Sequence, residues 1–143
     1  MAAALAEARA AASRGEVPIG AVVVHGGKIV GRGGNSPRAD HDPTAHAEIV
    51  AIRQAARSLG NGRLTDCDLY VTLEPCAMCA GAISHARIRR LYFGAEDEKG
   101  GGVLHGARVF AHPTCHHAPE VYPGIGEGEV AEMLRDFFRA RRA

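Results

Sequence analysis

The sequence predicts an α/β fold, a three-layer α/β/α sandwich around a mixed sheet of roughly five strands. Three observations predict it. Short apolar runs rich in β-branched residues alternate with longer helical stretches along most of the chain. Two of those runs flank a tight glycine turn and should pair antiparallel. Two others flank a helix, which makes them parallel neighbours joined most simply by a right-handed crossover.

The elements follow in chain order. Met1 to Arg14 is alanine-rich, with Glu7, Arg9 and Arg14 spread through it, a stretch of strong helix formers. Ile19 to Val24 and Lys28 to Gly33 form a hairpin around His25-Gly26-Gly27. Thr44 to Leu59 is a helix entered through Asp42-Pro43-Thr44, a capping residue and a proline, and it ends near Gly60-Asn61-Gly62. Asp68 to Leu73 and Ile88 to Ala95 are strands, separated by a helix over Cys76 to Ala86. A short strand near Glu120 to Tyr122 and a last helix from about Glu127 complete the set. In that helix Val130, Leu134 and Phe137 recur at helical spacing and are candidate core. Glu96 to Gly102 is glycine-rich and reads as a mobile loop, with a sharper reading as a flap at a site mouth.

Length and composition fit one domain, 1–143, with a normal core. Apolar residues make up 46% and charged residues 23% of the 143, ordinary proportions that exclude a disordered or fibrous chain. The four cysteines, with no secretory signal ahead of them, point to thiols and metal instead of disulfides. No run approaches transmembrane length, so no membrane partner and a cytoplasmic location are expected. Cys67 reads as a small buried residue.

The chemistry concentrates in two segments. His46 and Glu48 are followed by Pro75, Cys76 and Cys79, which together offer three zinc ligands and a carboxylate that coordination does not require. Structural zinc is nearly always closed by four side chains, whereas catalytic zinc keeps three and leaves a fourth position open. A Cys-x-x-Cys pair also opens zinc ribbons and redox motifs, but no second pair follows to close a ribbon. Cys76 and Cys79 share a face at a helix start, and Pro75 suits the first turn. There the helix dipole favours thiolate. His46 and Glu48 are two apart and converge only near a helix entrance, because one residue turns an α-helix by about 100°. Two thiolates and a neutral imidazole cancel the zinc charge, so water activation there needs a base, and Glu48 is placed to shuttle the proton. Water adding to an amidine-like carbon, with ammonia leaving, is hydrolytic deamination.

His41-Asp42-Pro43-Thr44-Ala45-His46-Ala47-Glu48 and Tyr70 to Ile83, with Pro75-Cys76-Ala77-Met78-Cys79 at its centre, resemble the cytidine deaminase superfamily, and closely its bacterial tRNA-specific adenosine deaminase (TadA-type) branch. Glu16 to Val24, Asn35, Ala86-Arg87-Ile88, Phe93-Gly94-Ala95 and the ending Asp136 to Arg142 are similar to that branch too. The resemblance implies a cytidine deaminase-like fold, one Zn2+ per subunit on His46, Cys76 and Cys79, and Glu48 as proton shuttle. It further implies that Asn35 contacts a flipped nucleoside, that backbone at Ala47 and Glu74 helps hold base and water, and that Asp97 and Lys99 lie in a loop touching the RNA. The expected reaction is adenosine to inosine at the wobble position of an arginine tRNA, on the anticodon stem-loop, by a homodimer. Glu96 and Glu98 flank Asp97 and make that loop acidic for an RNA partner.

The same zinc chemistry would serve a guanine, cytosine or deoxycytidylate deaminase. A zinc-stabilised RNA-binding module, with Glu48 as a mere surface carboxylate, is the non-enzyme alternative. Net charge is +1, a weak whole-chain signal for nucleic acid. Its distribution matters more, since Arg87, Arg89 and Arg90 cluster in one place and Arg135, Arg139, Arg141 and Arg142 in another. Glu127, Glu129 and Glu132 opposite those last arginines also suit the helix dipole for stability alone. Cys115-His116-His117 resembles a metal nest without a fourth ligand, and His85, His105 and His112 read as surface or hydrogen-bonded histidines.

Overall fold

The computed structural model describes residues 1–142, and Ala143 and the side chain of Arg142 lie outside that description. Its elements are α1 (Ala2–Ser13), β1 (Gly20–His25), β2 (Lys28–Gly34), α2 (Ala47–Leu59), β3 (Cys67–Leu73), α3 (Ala77–Ala86), β4 (Arg90–Ala95), a 3-10 turn at Val109–Ala111, β5 (Glu120–Tyr122) and α4 (Glu127–Arg142). The five strands lie in the order β2-β1-β3-β4-β5. β1 is antiparallel to both β2 and β3, while β3, β4 and β5 run parallel, so the sheet is mixed as the hairpin and the strand-helix-strand unit require.

Alternating side chains sort the two faces. Ala21 and Val23, Leu69 and Val71, and Leu91 and Phe93 join α2 and α3 residues such as Ala51, Ala55, Ala80 and Ile83 in the main core. On the opposite face Leu5 of α1, Val130 of α4 and Ala95 form a second cluster. Missing side chains let the helices approach closely. A Cβ on Gly31 or Gly33 would strike α2 backbone at Ala51 or Ala47, and one on Gly20 would strike α1 backbone at Ala4. The glycines of β2 thus set the height of α2 above the sheet.

Helix ends differ from the sequence expectation in instructive ways. α2 begins at Ala47, three residues after Thr44, with His46 as its N-cap. Asp42 caps a local turn instead, accepting from the Thr44 N–H and hydroxyl at 2.9 and 2.7 Å. Gly60 ends α2 in the left-handed conformation at φ 64°, as its position after the last helical residue predicts. α3 has Cys76 as N-cap, so Pro75 lies just before the helix and not in its first turn. In α4 Val130 is fully buried, Leu134 and Phe137 are half-buried, and Arg141 lies 4.5 Å over the Phe137 ring.

Candidate active site

Two helix starts meet beyond the carboxyl end of β3. His46 and Cys76 are the N-caps of α2 and α3, both in extended backbone, and Cys79 follows in the first turn of α3. His46 Nδ1 lies 3.6 Å from each of the Cys76 and Cys79 sulfurs. The three ligand atoms all lie within 4.8 Å of one another. Zinc at about 2.3 Å from sulfur and about 2.0–2.1 Å from nitrogen, in a tetrahedron, spaces N and S by about 3.6 Å. The donor set therefore fits zinc, with three side chains to hold it and a fourth position left over.

The thiols divide one proton. Hydrogen bonding with Cys79, helped by the His46 ring, holds Cys76 down at about 5, while the same bond, burial and the Glu48 carboxylate push Cys79 up. A cation entering here displaces the proton on Cys79. Glu48, second residue of α2, is only 4% exposed. Burial pushes its carboxyl up to about 7, where a group can both take and release a proton near neutrality.

Asn35 follows β2 and is held by its N–H to the Ile19 carbonyl at 2.9 Å. Its Oδ1 is buried and, among the described residues, is the one buried side-chain polar atom with no hydrogen-bond partner. An unpaired buried acceptor costs about 1–3 kcal/mol, so Oδ1 stands ready for a ligand donor. Ala47 is fully buried and its N–H is the first of α2, one of the amides that helix geometry leaves free.

Glu74 has a further use in its side chain. Its N–H is bonded to the Ala95 carbonyl at 2.9 Å, and its carboxylate faces the chain from Asp97 to His105. The stretch from Asp97 to His105 is consequently fastened at both ends to Glu74, the residue that follows β3. Asp97 caps its own turn, with Oδ1 accepting from the Lys99 and Gly100 N–H groups at 3.2 and 2.9 Å. Asp97 and exposed Lys99, with Glu96 and Glu98, border an open cleft of about 720 Å³ completed by Val17, Ile19, Leu73, Leu134 and Phe138. Nothing in the sequence signalled the Glu74 and His105 contact, because the partners lie 31 residues apart. Glu16 was also unmarked as an anchor, yet this 3%-exposed carboxylate accepts from the Ala39 N–H at 2.9 Å and steadies the loop before α2.

The remaining candidates lie apart from the ligand cluster. Arg89 is paired with Asp68 through two contacts of 3.0 Å, Arg90 with Glu120 at 3.3 Å, and Arg87 caps α3 in the left-handed conformation. Arg139 is 3.6 Å from Asp136, Arg141 donates to the Gly15 carbonyl, and Arg135 and Arg139 flank Phe138 beside the cleft. Cys115 contacts the Ser84 hydroxyl at 3.3 Å, His117 reaches the Ile88 carbonyl at 2.8 Å, and the His116 ring stands 4.9 Å from that of His85. Cys67 is buried.

A family model of MafB19-like deaminases matches residues 1–142. The chain belongs to that deaminase family. The deaminase is 62% identical over 139 residues to the tRNA-specific adenosine deaminase of Agrobacterium fabrum, spanning 97% of this chain and 91% of that one. A solved structure from studies of A-to-I editing by tRNA:A34 deaminases at the wobble position of transfer RNA superposes with a TM-score of 0.92 at 61% identity, covering 94% of this chain and 97% of the other. A guanine deaminase from Bacillus subtilis is a more distant match, with a TM-score of 0.66 at 33% identity over 97% and 88% of the two chains. These likenesses bear out the cytidine deaminase-like α/β fold.

Proposed function

We propose that this deaminase hydrolyses adenosine to inosine at the wobble position of tRNA, using His46, Cys76 and Cys79 to hold one zinc and Glu48 to move the proton. The observation that carries the chemistry is a buried carboxylate, needed by no ligand count, beside three side chains at zinc spacing. The high identity to tRNA-specific adenosine deaminases over nearly the whole chain supports the substrate.

Bound zinc supplies the Lewis acidity that makes a water nucleophilic near neutral pH. The protein's own groups do the rest. Glu48 takes a proton from the attacking water and delivers it to the departing amine, so that adenosine and water give inosine and ammonia. Asn35 Oδ1 accepts a hydrogen bond from the flipped nucleoside, and the free N–H of Ala47 holds the base edge. Asp97, Lys99 and the backbone of Glu74 border the nucleotide, while Arg135 and Arg139 beside Phe138 offer cationic and stacking contacts to the anticodon loop. An arginine tRNA is the expected substrate. The enzyme works as a homodimer in the cytoplasm, each subunit extending the other's groove, and no helix among the described residues is long and apolar enough to cross a membrane.

Guanine is the second reading, favoured by the likeness to the Bacillus subtilis enzyme. A side-by-side assay separates the two. Inosine in an anticodon stem-loop with no ammonia from guanine or cytidine supports the tRNA reading, and ammonia from a free base with the RNA untouched overturns it.

A further inference from the structure

We propose that Glu74 is a positioning residue that sets the wall of the substrate cleft through its carboxylate. The inference rests on the deaminase reading above, and its basis is local geometry. One oxygen accepts from the Val103, Leu104 and His105 N–H groups at 3.1, 3.0 and 3.2 Å. The other accepts from the Asp97 N–H at 3.0 Å and meets His105 Nδ1 at 2.8 Å. A single fully buried side chain thereby ties both ends of the loop from Asp97 to His105.

Burying a carboxylate is costly unless several donors meet it, and four amides with an imidazole satisfy that condition. The loop has been shaped to let them converge. Gly102 donates to the Pro75 carbonyl at 2.8 Å, and a Cβ on Gly101 would collide with Glu74 Oε2. On its outer side the same loop presents Glu96, Asp97, Glu98 and Lys99 to the cleft. The ligands His46, Cys76 and Cys79 and the base Glu48 sit at the starts of α2 and α3, and the loop meets this machinery where Gly102 lies against the Cys76–Ala77 backbone. Glu74 thus governs how substrate is held, and its carboxylate bonds go to the loop and to none of the ligands or Glu48.

The division predicts a KM effect. A merely destabilised enzyme loses active fraction and hence apparent kcat, with KM unchanged. Glu74→Gln keeps the size but turns an amide N–H2 toward backbone donors. In the zinc-loaded protein, KM for the anticodon stem-loop should rise by about tenfold or more, with kcat per zinc-loaded chain within about threefold, as expected when misplacement affects binding more than chemistry. Glu74→Asp should fall between the two, and His105→Ala and Gly101→Ala should raise KM in the same direction by a smaller factor. If Glu74→Gln fails to fold, His105→Ala, which alters a partly exposed side chain, decides the matter. An unchanged KM in the folded variants, or a kcat falling with folded fraction at constant KM, overturns the proposal. Should the unaltered chain prove active on guanine and inert on the RNA, the functional reading fails by itself, and the same KM comparison with guanine then decides the role of Glu74.

Discussion

Asn35 presents a buried acceptor that the folded protein leaves unpaired. Removing it should cost the fold little, whereas losing its bond to substrate should lower kcat/KM by about 5- to 150-fold, the value of about 1–3 kcal/mol for such a group. Steady-state kinetics and melting of Asn35→Ala check both halves together. Glu48 makes a pH prediction for the metal-free chain. Its folded pKa of about 7 lies above the ordinary 4.5, so between those values the folded state keeps a proton the unfolded state has lost. Stability therefore falls as pH rises through that window, by at most about 3 kcal/mol. Glu48→Gln should abolish that fall and match the parent below pH about 4.5, as urea titrations of chelator-treated protein would show. At this scale legibility was uneven. His46, Glu48, Cys76 and Cys79 stood out because metal spacing is local, while Glu74 hid its role because its donors lie 23 to 31 residues away.

α2 brings His46 and Glu48 to the site, and its height is set by β2. A methyl at Gly31 or Gly33 would press on α2 backbone, which cannot yield as a side chain tip does. Gly31→Ala and Gly33→Ala should each cost about 1–3 kcal/mol, typical of overpacking, and weaken zinc retention by displacing His46. Thermal melting and metal analysis after dialysis against a mild chelator test this. A loss of stability with full zinc retention would show that α2 tilts as a unit without moving the ligand. The element pattern itself was readable, since strand period, glycine turns and helix formers agreed along the chain. α2 starts later than the capping residues suggest because Asp42 spends its carboxylate on a local turn at Thr44, leaving the cap to His46. Likewise the glycines at 100–102 suggest mobility, whereas Gly101 passes the Glu74 carboxylate and Gly102 the Cys76–Ala77 backbone too closely for a Cβ.

For the whole molecule, a homodimer is the expected working form, since the cleft beside Leu134 and Phe138 is open and a second subunit would extend it. Sedimentation should give about twice 15.0 kDa at micromolar concentration. A monomer that still edits RNA would remove that part of the proposal. The chain's net charge of +1 made RNA binding hard to read from composition, because the paired Arg89 and Arg90 at the start of β4 and the arginines of α4 beside Phe138 cannot be told apart without the fold. In the proposed reaction, zinc held by His46, Cys76 and Cys79 acts with Glu48 on a wobble adenosine. The most direct test is inosine formation in an arginine tRNA anticodon stem-loop by the zinc-loaded protein and by Glu48→Ala. The parent should form inosine, and the variant should lose about 10²- to 10⁴-fold of that activity at equal zinc and RNA binding. Equal inosine from both proteins would contradict the proposed reaction.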